Sequence, residues 1–187
     1  MSEQSRLLFG VCAEARAPCT LSIAAGAPQL SIALVADPRT ASALAVELRT
    51  LTMWADSPLE VLYFPEDPPP DIDSKRREDR ISDRLWVLSS LLRAPGRALL
   101  VATPEAVFGA CPARSVFEAQ RLELKVGQNI DYQALVAQLT GVLNYDAEAL
   151  CEYPGQLATR GGLIDIYPKD AHEPFRLDFF GDEIESI

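Results

Sequence analysis

The spacing of hydrophobic positions changes near residue 112. Upstream they come in short unbroken blocks: Ser31 to Ala36 (SIALVA), Leu59 to Phe64, and Ala98 to Ala102 (ALLVA). Blocks of this length without polar alternation predict strands of a parallel sheet, buried on both faces. Between the first two, Leu44, Leu48 and Leu51 fall at i, i+4 and i+7, which predicts a helix over Thr40 to Leu51. It follows Asp37-Pro38, a turn signal. The proline cluster Pro65 to Pro70 then enforces an extended loop. Ile72 to Leu92 predicts one long helix or two, with Ile81, Leu85, Leu88 and Leu92 as the apolar stripe. Pro95-Gly96 ends it, and Pro104 to Phe108 starts a short helix with proline in its first turn. Strand, helix, strand, helix, strand is the order of an α/β parallel sheet with covering helices.

Beyond Cys111-Pro112 the period becomes two. Within Phe117 to Val126, Leu122, Leu124 and Val126 alternate with Arg121, Glu123 and Lys125, predicting a half-exposed strand. Gly127 turns the chain, and Asp131 caps a helix through Leu143. A strand over Arg160 to Tyr167, a loop from Pro168 to Pro174 and a strand over Phe175 to Phe180 follow. In the last strand Phe175, Leu177 and Phe179 point one way, into the core, while Arg176, Asp178 and Phe180 share the other face. A phenylalanine beside an arginine on a polar face has the composition of an interface anchor. A second layer covering Phe180 accounts for it equally well. With antiparallel pairing around the 168–174 loop, Arg160 falls near the Phe180 end of its neighbour. A bulge at Gly161-Gly162 would leave the face taken by Arg160 open. The expected division is a sheet domain over 1–118 and a smaller α+β unit over 119–187. Ile187 falls inside a strand-like pattern, so the second domain is expected to be truncated at its C-terminus.

Composition narrows the chemistry. The net charge of -10 argues against a chain whose main work is gripping phosphates. The run Lys75 to Arg80 mixes bases with acids and reads as a solvated helix face rather than a nucleic-acid contact. Cys12, Cys19, Cys111 and Cys151 form no C-x-x-C pair and His172 is the only histidine, so reduced thiols and no metal site are expected. No G-x-x-x-x-G-K-[ST] or G-x-G-x-x-G pattern is present. Ala24-Ala25-Gly26-Ala27-Pro28 offers one glycine, no lysine, and a proline that removes an N–H donor. ATP hydrolysis and a bound cofactor are therefore not expected. His172 sits in a polar, proline-flanked loop with no nucleophile beside it, and reads as solvated rather than catalytic. Asp165 and Asp178 read as strand-surface carboxylates beside basic residues rather than a catalytic pair. No apolar run is long enough to span a bilayer and Met1 to Arg6 holds no signal-peptide core, which predicts a cytoplasmic chain with no membrane partner.

The final strands also carry a resemblance. Thr159-Arg160-Gly161-Gly162-Leu163-Ile164-Asp165-Ile166-Tyr167-Pro168, then Phe175-Arg176-Leu177-Asp178-Phe179-Phe180 and Asp182-Glu183-Ile184, resemble the interaction domain shared by bacterial transcription-repair coupling factors and the excinuclease protein UvrB. The pattern R-G-x-x-x-D-[IL]-[FY]-P, a short loop, then R-[LI]-[DE]-[FL]-F-x-[DE]-E is long and specific. Val35-Ala36-Asp37-Pro38, and Val101-Ala102-Thr103-Pro104 with Val107-Phe108-Gly109, resemble strand ends of the accompanying helicase-like domain. Leu124 to Gln128 resembles the start of the interaction domain. The likeness runs from about Ser31. Two departures separate the relatives: UvrB keeps a phosphate loop, and it carries a long aromatic insertion where this chain has only Pro65 to Ser74.

The resemblance therefore implies the coupling factor's N-terminal module. Its fold would be α/β: a degenerate RecA/helicase-like parallel sheet domain with a smaller α+β interaction domain. It would recruit the excinuclease protein UvrA to stalled RNA polymerase in nucleotide excision repair, without catalysis. The docking residues would be Arg160, Arg176 and Phe180. RNA polymerase and DNA would be engaged by other domains of an ATP-driven translocase, and the docking surface can be covered in the full-length family members. Two competing readings are a UvrB-like helicase/ATPase fragment and a DNA-binding domain using Lys75 to Arg80. The missing phosphate loop opposes the first, and the negative charge opposes the second.

Overall fold

The computed structural model describes residues 11–27, 29–93 and 96–187. These form two compact units: the chain up to Glu66 with Ser90–Gly109, and Asp67–Ser89 with Ala110–Ile187. Most of the long helix thus clusters with the second unit, unlike the 1–118/119–187 division read from the sequence.

The first unit holds a parallel sheet of β1 (Leu30–Leu34), β2 (Leu59–Phe64) and β3 (Arg97–Ala102), in the order β1-β3-β2. Helix α1 (Ala13–Ala25) precedes the sheet and α2 (Pro38–Trp54) joins β1 to β2. Pro38 occupies the first turn of α2, where its missing N–H costs nothing. The Asp37 carboxylate accepts from the Thr40 amide at 2.9 Å and its hydroxyl at 2.6 Å, satisfying donors at the helix start. Ala41, Ala45 and Leu48 of α2 and Ala17 and Ala24 of α1 pack against Val61, Leu99 and Val101.

Burial in this sheet does not follow from apolar composition alone. β3 is buried from Ala98 to Ala102, as an all-apolar block predicts. β1, expected to be buried as well, is an edge strand, with Leu30, Ile32 and Leu34 48%, 51% and 54% exposed. Edge position alone does not account for the exposure, because β2 lies at the other edge of the described sheet with Leu59, Val61, Leu62 and Phe64 buried.

Helix α3 (Ser74–Leu92) follows the proline-rich loop. Its expected stripe lies at the margin of the buried face: Ile81 is exposed, and Leu85, Leu88 and Leu92 are not the residues most deeply buried. Ser82, Arg84, Val87, Ser89 and Ser90 are buried instead. A cation tolerates that position because its guanidinium meets Asp67 at 3.0 Å and donates to the Ala110 carbonyl at 3.0 Å, as a buried charge must. The short helix α4 (Pro104–Phe108) returns to the first unit. It is capped in the same way as α2, the Ala106 amide donating to the Thr103 hydroxyl at 3.2 Å.

The second unit also contains α5 (Arg114–Ala119), α6 (Tyr132–Ala137) and a π-helical turn, Gln138–Val142, that continues α6. The strand expected over Phe117 to Val126 is not formed: its first residues belong to α5, and 121–125 enters no ladder. Its alternation survives as packing, since Leu122 and Leu124 face the core, while Val126 is exposed. Sheet-like bonding begins just afterwards, where the Gly127 and Ile130 amides donate to the Ile184 and Asp182 carbonyls at 2.8 and 2.7 Å. Asp131 caps α6, accepting from the Ala134 amide at 2.6 Å. Lys169 closes the other end, donating to the Leu143 and Asn144 carbonyls at 2.8 and 3.0 Å.

The sheet of this unit has five strands in sequential order: β4 (Asp146–Ala147), β5 (Gln156–Arg160), β6 (Leu163–Ile166), β7 (Phe175–Phe180) and β8 (Glu183–Ser186). All pairs are antiparallel except β4–β5. The single strand expected over Arg160 to Tyr167 is therefore wrong. Gly161-Gly162 is not a bulge but the two-residue turn of a β5–β6 hairpin. Gly161 has φ of +59°, which suits glycine and the twist of such hairpins. A Cβ on Gly162 would stand 2.7 Å from the Phe179 carbonyl oxygen. One face of the sheet presents Leu157, Ile164, Ile166, Leu177, Phe179 and Ile184 to Leu135 and Leu139 of the helical segment. Phe175, expected in this core, is 42% exposed: it opens β7 at the rim, and alternation sets its side without setting its depth.

Candidate functional site

The opposite face of this sheet is where the expected site residues lie. Directly paired residues on neighbouring strands project to the same side. The register pairs Arg160 with Leu163 and Leu163 with Asp178. One rung along it pairs Ala158 with Asp165 and Asp165 with Arg176. Arg160, Leu163, Asp165, Arg176 and Asp178 therefore share a face contributed by β5, β6 and β7. Alternation along β7 adds Phe180. All three expected residues are brought to this face, but Arg160 comes from β5, one strand farther from β7 than the sequence reading placed it.

Their surroundings differ. Phe180 is 77% exposed at the end of β7, so among the described residues no second layer covers it. It precedes the turn at Gly181, whose φ is +63°. Arg160 is exposed and donates from Nη2 to the Ala149 carbonyl at 3.0 Å. Arg176 makes a side-on bidentate pair with Asp165, Nε to Oδ1 at 2.6 Å and Nη2 to Oδ2 at 2.9 Å. Hydrogen bonding from Arg176, helped by the charges of Arg176 and Arg160, holds the Asp165 carboxyl below its ordinary range. The same bond pushes the Arg176 guanidinium up. Leu163 and Asp178 lie on the face between the arginines as half-buried residues.

The sequence alone placed Asp165 beside a basic residue but gave it no part in the site. Its signal for the pairing is strand register, which a misread Gly161-Gly162 turn obscures. The Ala149 carbonyl had no signal, because a backbone acceptor has no side-chain signature.

The remaining expected features contribute no residue to this face. The basic run is engaged within the chain: the Lys75 ammonium donates to the Tyr153 hydroxyl at 3.1 Å and lies 4.4 Å from the centre of its ring. Arg76 pairs with Asp73, and Arg77 donates to the Pro69 and Pro70 carbonyls. His172 is exposed, as expected, with its ring 4.8 Å from that of Trp86. The half-buried Cys151 thiol donates to the Gln156 carbonyl, and burial pushes its pKa up. Among the described residues no cluster of three or more metal-ligating side chains occurs, and no helix is long and apolar enough to cross a membrane.

Comparison with known proteins shows what this chain is similar to. Residues 122–187 match the UvrB interaction domain, a span that contains every strand of the five-stranded sheet. The chain is 36% identical to the transcription-repair-coupling factor of Escherichia coli over 110 residues, covering 59% of this chain and 9% of that protein. It is 32% identical to the transcription-repair-coupling factor of Haemophilus influenzae over 160 residues, 84% of this chain and 13% of that protein. It is 31% identical to the UvrABC system protein B of Chlorobium limicola over 131 residues, 67% of this chain and 19% of that protein. The chain thus spans less than a fifth of the length of each of these relatives.

Proposed function

We propose that this chain, a transcription-repair-coupling-factor-like module carrying a UvrB interaction domain over residues 122–187, is a docking module. It recruits the excinuclease protein UvrA to stalled RNA polymerase in nucleotide excision repair and performs no catalysis itself. RNA polymerase and DNA are engaged by other parts of a longer, ATP-driven cytoplasmic protein. The observation that carries the reading is the convergence of Arg160, Arg176 and Phe180, from β5 and β7, on the sheet face that α6 leaves uncovered.

The physics of that face suits docking. A guanidinium offers planar, bidentate hydrogen bonding to a carboxylate, and Phe180 offers apolar area that a partner can bury. Truncating one such anchor typically costs roughly 1–4 kcal/mol of binding, or about fivefold to nearly a thousandfold in affinity. The test is a titration of the chain with purified UvrA. The parent should bind, and Arg176→Ala and Phe180→Ala should each weaken binding by at least about fivefold. A folded parent that does not bind, or variants that bind like the parent, would overturn the reading. Saturable ATP binding would move the assignment to the helicase class.

A further inference from the structure

Arg176 is not a free surface arginine. It lies directly across from Asp165 in the β6–β7 ladder, and its Nε and Nη2 donate to the two oxygens of that one carboxylate at 2.6 and 2.9 Å. A guanidinium has five N–H donors in a rigid plane. The side-on pair uses two of them, which leaves the end-on fork formed by Nη1 and the second N–H of Nη2. The exposures agree with that division of labour: the Arg176 side chain is 62% exposed, the Asp165 side chain only 23%. Asp165 is the fixed member, set on a strand flanked on both sides. It also feels the charge of Arg160 from β5, so one carboxylate interacts with both arginines of the face.

We propose that Asp165 is a positioning residue for docking. It holds the Arg176 guanidinium side-on, so that the outer fork is presented, already oriented, to a carboxylate on the partner. The proposal rests on the docking reading above and deepens it. A long arginine side chain on an open strand otherwise samples many rotamers, and immobilising such a side chain costs binding energy at the moment of association. A cross-strand partner that selects one rotamer beforehand removes part of that cost. It also fixes the plane in which the acceptor carboxylate must lie, which makes Asp165 a specificity element as well. An exposed ion pair of this kind contributes little to folding, so its effect belongs in binding.

The experiment is a double-mutant cycle in binding to UvrA, using the parent, Asp165→Asn, Arg176→Ala and the double variant. Asn keeps the shape but loses the charge and one of the two acceptors. Asp165→Asn is expected to bind roughly two- to tenfold more weakly than the parent, with no further loss when added to Arg176→Ala. A nuclear-magnetic-resonance spectrum of the arginine Nε–H groups gives a second readout. The Arg176 signal should be protected from exchange in the free parent and lose that protection in Asp165→Asn, while the thermal midpoint stays nearly unchanged. Asp165→Asn binding like the parent while Arg176→Ala binds weakly would overturn the positioning role and leave docking intact. So would an Asp165→Asn loss of the same size in the Arg176→Ala background. An Arg176→Ala chain that binds like the parent would remove the docking reading and this proposal with it.

Discussion

The two sheets of this chain use similar residues and leave different surfaces. In the parallel sheet, central β3 is buried on both sides, and Ala98 to Ala102 carries no polar side chain. In the five-stranded sheet, β7 alternates: Leu177 and Phe179 are buried, while Arg176 and Phe180 are exposed. A strand buried on both faces can only support. A strand with one face left open can pack with half of its residues and recognise with the other half. The candidate site sits where the second arrangement holds, and the apolar exposure of edge strand β1 shows that even the first sheet is not uniform.

Core truncations should produce the largest effects and test whether the two sheets are equally well packed. Leu99→Ala in β3 and Leu177→Ala in β7 each remove a side chain that is 1% exposed. Each should cost about 2–5 kcal/mol in chemical denaturation. A much smaller loss for Leu177→Ala would mean that the open-faced sheet yields more readily around a cavity.

The hairpin that brings Arg160 to the face comes next. Gly162→Ala places a methyl 2.7 Å from a backbone oxygen, which must shift. A loss of about 1–3 kcal/mol in denaturation is expected, with weaker docking as β5 moves.

Lys169→Met removes two hydrogen bonds to carbonyls at the end of the helical segment. It should destabilise the second unit by about 1–2 kcal/mol, read by hydrogen exchange at α6.

Edge strand β1 should be nearly indifferent. Ile32→Ser, at a half-exposed position, should change stability by less than about 1 kcal/mol in the same denaturation assay. A larger loss would show that this face is covered in solution.

The smallest effect separates the two sheets by pH. Asp165 has a folded pKa below its ordinary value of 3.8. Its pairing therefore stabilises the fold above that value, and the contribution is lost as pH falls through the lower folded value. A carbon-13 titration of the carboxyl should show the depressed midpoint, returning toward 3.8 in Arg176→Ala.

The sequence by itself determined the elements whose signals are local. Unbroken apolar blocks placed β1, β2 and β3 and their parallel connection. Asp37-Pro38, Thr103-Pro104 and Asp131 marked helix starts, because a cap needs a side chain within three residues of the amide it accepts from. The alternation in Phe175 to Phe180 separated the packed side of β7 from its open side, since that period is intrinsic to a strand. Everything that depended on long-range pairing waited for the tertiary structure. Which edge strand exposes apolar side chains, as β1 does at Ile32 and β2 does not at Leu62, depends on what packs against it rather than on its own apolar run. The buried side of α3 is decided by what Arg84 finds, in Asp67 and the Ala110 carbonyl. The Gly161-Gly162 turn splits one apparent strand into β5 and β6. That register sets Asp165 opposite Arg176 and carries Arg160 round to the same face, because a side chain's partner across a sheet is fixed by the fold of the hairpin and not by its neighbours in sequence.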